Sequence, residues 1–177
     1  MQLKHYDHDG RVRFVTFCTH KRLPLLTNSL FRRIVVESID SARTEFHFRL
    51  LAYVIMPDHV HLVLQPQTTS KLGEIVASIK HSSALRVLSI LRQQSSPLLL
   101  KLTVDRDRCP RNVLWQRRCF DYNCRNDAEV WEKVRYCHDN PVSRGYVSDS
   151  LKWIWSSQRW YAGNRDVPIT IDDLSRE

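Results

Sequence analysis

Tyr53-Val54-Ile55-Met56-Pro57-Asp58-His59-Val60-His61-Leu62-Val63-Leu64 reads as two strands joined by a tight corner. The first run is apolar and β-prone, Pro57-Asp58 turns the chain, and the second run opens on two histidines one residue apart. Along an extended chain successive side chains point to opposite faces. His59 and His61 therefore share one face, and Val60, Leu62 and Leu64 take the other. Two imidazoles side by side on a sheet point to a metal. Taken alone, an H-x-H in a strand is more often a structural or surface pair, so the reading depends on partners elsewhere in the chain.

Working outward, Val12 to Thr19 is β-branched and aromatic and forms a first strand behind a polar arm at residues 1–11. Thr27 or Asn28 caps a helix whose apolar positions Phe31, Ile34, Val35, Ile39, Ala42 and Phe46 keep three- and four-residue spacing. Its other face carries Arg32, Arg33 and Glu37. Phe48 to Met56 is the second strand and Val60 to Leu64 the third. Ser70 caps a second helix with Leu72, Ile75, Val76, Ile79, Leu85, Leu88 and Leu91 inward and Lys71, Lys80, His81, Arg86 and Arg92 outside. Gln93 to Asn112 has no clear periodicity and reads as a long loop. Val113 to Tyr122 returns as a fourth strand that carries Arg117 and Arg118. Asp127 caps a third helix, from Ala128 to about Asn140, which Pro141 ends because the residue before proline is pushed away from the α region.

Strand, helix, strand, strand, helix, strand is the split βαβ pattern. The expected class is α+β: a ferredoxin-like antiparallel sheet (βαββαβ) with helices on one face, followed by the third helix and a C-terminal extension rich in tryptophan. One domain over 1–163 and a tail over 164–177 follow from this reading.

The chain has 177 residues, enough for one full core, and 27 Lys+Arg against 19 Asp+Glu give it a net charge of +8, which favours a polyanionic partner. Five cysteines form no C-x-x-C pair, and the odd count argues against a closed disulfide framework, so a reduced, cytoplasmic setting is expected. No stretch approaches the apolar length of a membrane span.

The third helix supplies the partners the histidines need. Val130, Val134 and Cys137 form its apolar stripe, while Tyr136 and Asn140 project together from another face about one turn apart. Two imidazole nitrogens and one amide oxygen leave open positions on Mg²⁺ or Mn²⁺, and those positions suit phosphate oxygens. A phenolate beside them can attack phosphorus. Trp115, Trp153, Trp155 and Trp160 are candidates to stack unpaired bases, although tryptophan more commonly fills cores.

Met56-Pro57-Asp58-His59-Val60-His61-Leu62, Trp115-Gln116-Arg117-Arg118, Tyr136-Cys137-His138-Asp139-Asn140-Pro141-Val142, and Trp155-Ser156-Ser157 with Tyr161 and Gly163, resemble the REP-associated tyrosine transposases of the HUH superfamily. The resemblance runs from about Val12 to Gly163. It implies a metal-dependent enzyme that nicks and rejoins single-stranded, hairpin-forming DNA through a 5′-phosphotyrosine intermediate. The family pattern places the nucleophile on Tyr136 and the metal ligands on His59, His61 and Asn140. It leaves Lys80, Arg117 and Arg118 as DNA contacts, and it implies a monomer or a homodimer. Asp58 departs from the pattern, which more usually has Asn there. Two other classes compete: a catalytically silent regulator that binds DNA hairpins, and an RNA-binding module, which needs exposed aromatics on the central strands where this chain offers Tyr53.

Overall fold

The computed structural model describes residues 9–106 and 109–174; most of the polar arm and the second half of the 105–108 charge run lie outside the described residues. Four strands, β1 (Arg13–Cys18), β2 (Arg49–Ile55), β3 (His59–Gln65) and β6 (Phe120–Asn123), form one sheet in the order β2-β3-β1-β6. Every neighbouring pair is antiparallel. That is the strand order of a split βαβ unit. It puts β3, with the histidines, in the middle of the sheet.

The two faces are built by the alternation of the strands. Val15, Phe17, Tyr53, Ile55, Val60, Leu62 and Leu64 are buried under α1 (Ser29–Phe46) and α2 (Leu72–Gln93). Phe14, Ala52, Val54, Met56 and Val63 face the other way, against α4 (Asp127–Ser143). A register shift between Leu50 and Ala52 turns Leu51 toward the α4 side as well. Burying a side chain of this size stabilises by roughly 1.5–3 kcal/mol, so each face is a substantial anchor. The expected pair of helices lies on one face; α4 covers the other, which is the histidine face.

Several local expectations need correction. Asn28 caps α1, its Oδ1 accepting from Leu30 N at 2.9 Å. Ser70 does not cap α2: its hydroxyl donates to Phe46 O, and Lys71 precedes the helix without a side-chain cap. Leu85 is exposed, because the α1–α2 seam is filled by Val87, Leu88 and Leu91. The 93–112 stretch is not a plain loop. It contains the short helix α3 (Leu98–Lys101) and a hairpin of β4 (Thr103–Arg106) and β5 (Cys109–Asn112), pinned by the buried Leu102. The strand expected over 113–122 is confined to β6. Ahead of it, Leu114 and Trp115 are buried, and Trp115 bridges Thr19 and donates from Nε1 to Ser83 Oγ at 2.9 Å. That indole serves the core and is not available for base stacking.

Residues 164–174 belong to the same packed unit. Ile169 and Ile171 are buried in the main core, and Asp172 closes the outer edge of β2, its N–H donating to Leu50 O and its carboxylate accepting from Leu50 N, both at 2.8 Å. Ile55 N donates to Trp155 O and Ser157 N to Tyr53 O further along that edge. An edge strand left bare would be a template for pairing with another chain. All five cysteines are free thiols, Cys124 and Cys137 buried and Cys109 and Cys119 exposed. Among the described residues no helix is long and apolar enough to cross a membrane.

Candidate active site

The two histidines are buried, and their rings lie 4.6 Å apart. Each is held by its Nδ1. Asp58 Oδ1 lies 2.6 Å from His59 Nδ1, and Thr16 Oγ1, directly across the β1–β3 register, lies 2.7 Å from His61 Nδ1. A carboxylate only accepts, so His59 carries its proton on Nδ1 and turns the lone pair of Nε2 toward the site. That Nε2 is buried and meets no partner among the described residues. Asn140 Nδ2 sits 3.3 Å from His61 Nε2, which makes His61 Nε2 an acceptor too, and leaves Asn140 Oδ1 buried without a partner. Two imidazole lone pairs and one amide oxygen are thus gathered, and two of the three, His59 Nε2 and Asn140 Oδ1, have no partner among the described residues. Orphaned buried acceptors are costly unless something binds there.

α4 brings Asn140 and Tyr136 to this place. Its N-terminus is fixed by Asn126, not Asp127: the Asn126 side chain accepts from Glu129 N at 3.0 Å. Val130, Val134 and Cys137 seat it on Phe14, Val54 and Val63. The helix does not stop at Asn140. It runs through Pro141 to Ser143: the proline removes only its own N–H bond to the preceding turn, and the chain beyond it is still held, with Arg144 N donating to Asn140 O and Tyr146 N to Pro141 O. Tyr136 is 48 % exposed, its ring 5.3 Å from His61 and 5.6 Å from Phe14, both edge-on. Phe14 itself stacks on His61 at 5.2 Å. A buried wall thus orients the phenol while its outer side remains open.

The electrostatics favour a neutral, cation-ready pair. Burial pushes His61 down to about 3, helped by His59, Arg144 and Arg22. Burial also lowers His59, against the opposing pull of Asp58. Burial alone would raise the Asp58 carboxyl, but His59 and Arg22 outweigh it and hold it below the ordinary carboxylate range. Arg22 donates from NH1 to Asp58 Oδ2 at 2.8 Å, and its field reaches Tyr136. Lys21 and Arg22 both sit at left-handed φ, 51° and 53°, an uncommon state for residues with a Cβ. Arg22, Arg144 and Thr16 escape sequence reasoning. Only the position of Arg144, one turn past Asn140 on the same helix, offered a signal.

His59, His61, Tyr136 and Asn140 are therefore brought together as the sequence spacing implied. The proposed DNA contacts divide. Arg117 and Arg118 are exposed next to β6. Lys80 Nζ instead donates to Gln116 O at 2.7 Å and Arg117 O at 3.1 Å, so it fastens the segment that carries those arginines. Tyr53 is fully buried, which removes the support for an RNA-type stacking sheet. Among the described residues no three of His, Cys, Asp and Glu cluster as a metal site; the third donor here is an amide.

The family model described as "Transposase IS200 like" matches residues 9–138, which include both histidines and the tyrosine. The chain belongs to this family. A REP-associated tyrosine transposase of Escherichia coli is 21 % identical over 159 residues, covering 87 % of this chain and 79 % of that one. A protein of Haemophilus influenzae provisionally given the same name is 28 % identical over 127 residues, 71 % of this chain, and the match spans 65 % of its length. The solved structure of a REP-associated tyrosine transposase bound to a REP hairpin superposes with a TM-score of 0.70 at 18 % identity, covering 100 % of this chain and 94 % of that one, which shows a shared fold.

Proposed function

We propose that the protein nicks and rejoins single-stranded DNA that folds into hairpins, through a covalent 5′-phosphotyrosine on Tyr136. The observation that supports this most directly is the half-exposed Tyr136 ring edge-on to His61, beside two buried, unpartnered lone-pair atoms, His59 Nε2 and Asn140 Oδ1, and a third, His61 Nε2, whose contact is the Asn140 amide. The donor set fits a divalent ion such as Mg²⁺ or Mn²⁺ that keeps open positions. When bound, such an ion neutralises phosphate charge and polarises the scissile diester.

The chain's own groups do the rest. His59 and His61 stay neutral near pH 7 and keep their lone pairs aimed inward by bonding Asp58 and Thr16. Tyr136 Oη attacks phosphorus; the new P–O(Tyr) bond forms as the P–O3′ bond breaks, the phenol proton passes to water on its open side, and the 3′-oxygen leaves and is protonated. Arg22 and Arg144 lie in the field of the site and offset the charge that builds on the phosphate oxygens. The phosphotyrosine link keeps the bond energy, so a 3′-hydroxyl can reverse the step at another junction. Arg117 and Arg118 contact backbone phosphates of the hairpin, and Lys80 steadies them.

The test is incubation with labelled single-stranded hairpin DNA and Mn²⁺, then denaturing electrophoresis and peptide mapping. A DNA adduct on Tyr136 supports the reading. Hairpin binding without any adduct, across metals and sequences, would mean a hairpin-binding regulator.

A further inference from the structure

Arg32 stands in the first turn of α1, at the end of the sheet where the Met56–Asp58 corner leads into His59. Its guanidinium lies between two indoles, 4.8 Å from the Trp153 ring centre and 5.6 Å from that of Trp155. Both tryptophans are tied to the last residue of β2: Trp153 Nε1 donates to Ile55 O at 3.2 Å, and Ile55 N donates to Trp155 O at 2.8 Å. Leu26, just ahead of α1, donates from its N–H to Pro57 O, so helix and corner are joined. The stacked arginine and the histidines therefore share one end of the sheet. The chain leaving the catalytic helix returns past the same place, where Tyr146, half exposed, packs 5.7 Å from Trp153.

Among the described residues no carboxylate pairs with this cation. Arg13, Arg22, Arg43, Arg86 and Arg125 each meet a carboxylate. Among the described residues none accepts a hydrogen bond from the Arg32 side chain, and its Nε is buried without a partner. Stacking on indoles offsets part of the lost hydration, but it leaves the in-plane N–H donors unused. Those donors form a planar fork matched to phosphate oxygens. The partial positive charge of the α1 N-terminus has the same sign preference.

We propose that Arg32, gripped by Trp153 and Trp155, is the seat of one backbone phosphate in the single-stranded segment adjoining the scissile bond. Tyr146 and Trp153 offer that nucleotide's base a face on which to stack. The assignment rests on the strand-transfer reading above and adds to it a subsite outside the metal ligands and the nucleophile. It also explains why so large a cation is desolvated with no charge beside it.

The test uses the full chain and a hairpin carrying a single-stranded flank in which one phosphate at a time is replaced by a neutral methylphosphonate. For the wild type, one flank position is expected to weaken binding by about fivefold or more when neutralised, and the same position should have no effect on Arg32→Gln. Arg32→Gln should bind the flanked hairpin about 5–10-fold more weakly and flatten the dependence of log K on log salt by about 0.7, while a hairpin without the flank binds as before. Arg32→Lys, which keeps charge and stem, should fall between the two and guards against a Gln variant that fails to fold. If Tyr136 still forms its adduct but no flank position is coupled to residue 32, the arginine is only a tether for the C-terminal segment and the subsite is overturned. If wild type neither binds the flanked hairpin nor forms an adduct, the strand-transfer reading falls with it.

Discussion

At the scale of single residues the site is a set of paired assignments, one atom of each ring for the fold and the other for chemistry. Tyr136→Phe removes only the attacking oxygen. Covalent adduct should drop by at least about 10³-fold while hairpin affinity stays within about twofold, because the Phe14 and His61 ring contacts survive. Loss of binding in parallel would make Tyr136 a structural residue. Asp58, at a position where the resemblance more usually has Asn, has two partners: one oxygen fixes His59 Nδ1 and the other is neutralised by Arg22. Asp58→Ala should weaken Mn²⁺ binding, read from the free-ion electron paramagnetic resonance signal, by about 10–100-fold, and Asp58→Asn by less, since an amide oxygen still accepts from Nδ1. Equal affinities across the three proteins would sever Asp58 from the site. His59, His61, Tyr136 and Asn140 were legible in the sequence because local periodicity alone places each pair on one face. Arg22 was not, since its partner lies 36 residues away and only the packed fold joins them.

At the scale of elements, α4 decides whether Tyr136 and Asn140 meet the histidines. Its apolar stripe and its start were readable to within a residue; its end was not, because a proline in the last turn removes its own N–H bond without stopping the next one, from Arg144 N to Asn140 O. The 93–112 hairpin was hidden for a similar reason: four-residue strands carry too little alternation to be seen, and one buried side chain, Leu102, holds the segment. A second device clamps α4. His138, buried, shares a 2.9 Å hydrogen bond with Ser157 Oγ, which in turn bonds Tyr53 N on β2. Burial lowers His138 from 6.5 to about 4, so the unfolded chain takes up the proton first. The stability held by the neutral ring is complete above about pH 6.5 and is lost as the pH falls toward 4, a swing of about 3 kcal/mol. Urea titrations of metal-free protein from pH 7.5 to 4.5 should therefore show a falling midpoint. His138→Gln, which can still bond Ser157, should make that slope shallower by its own share, the buried His59 and His61 supplying the remainder; an unchanged slope would take His138 out of the acid sensitivity.

At the scale of the whole molecule, the sheet has two differently treated sides. On the β6 side Phe120 is exposed beside Arg117 and Arg118, a surface open to a nucleic-acid partner. On the β2 side the C-terminal segment is laid along the strand as a seal, from Trp155 and Ser157 to Asp172, and Arg43 fastens it by donating to Thr170 O and the Asp172 carboxylate, both at 2.7 Å. The sequence shows polar residues and one proline after Gly163, which is why the stretch reads as a tail; the two isoleucines that bury themselves there are too few to form a pattern. A chain ended at residue 163 loses the burial of Ile169 and Ile171, about 3–6 kcal/mol by side-chain transfer, a large part of the stability of an ordinary domain. It also bares the Leu50 end of β2. The truncated chain should unfold at markedly lower urea and aggregate near the midpoint. Replacing both isoleucines by alanine in the full chain separates the two effects: the midpoint should fall by a comparable amount, yet aggregation should not appear, because Asp172 still closes the edge. Should truncation leave the urea midpoint where it was, residues 164–174 would carry no share of the core, and the stability of the catalytic sheet would rest on α1, α2 and α4 alone.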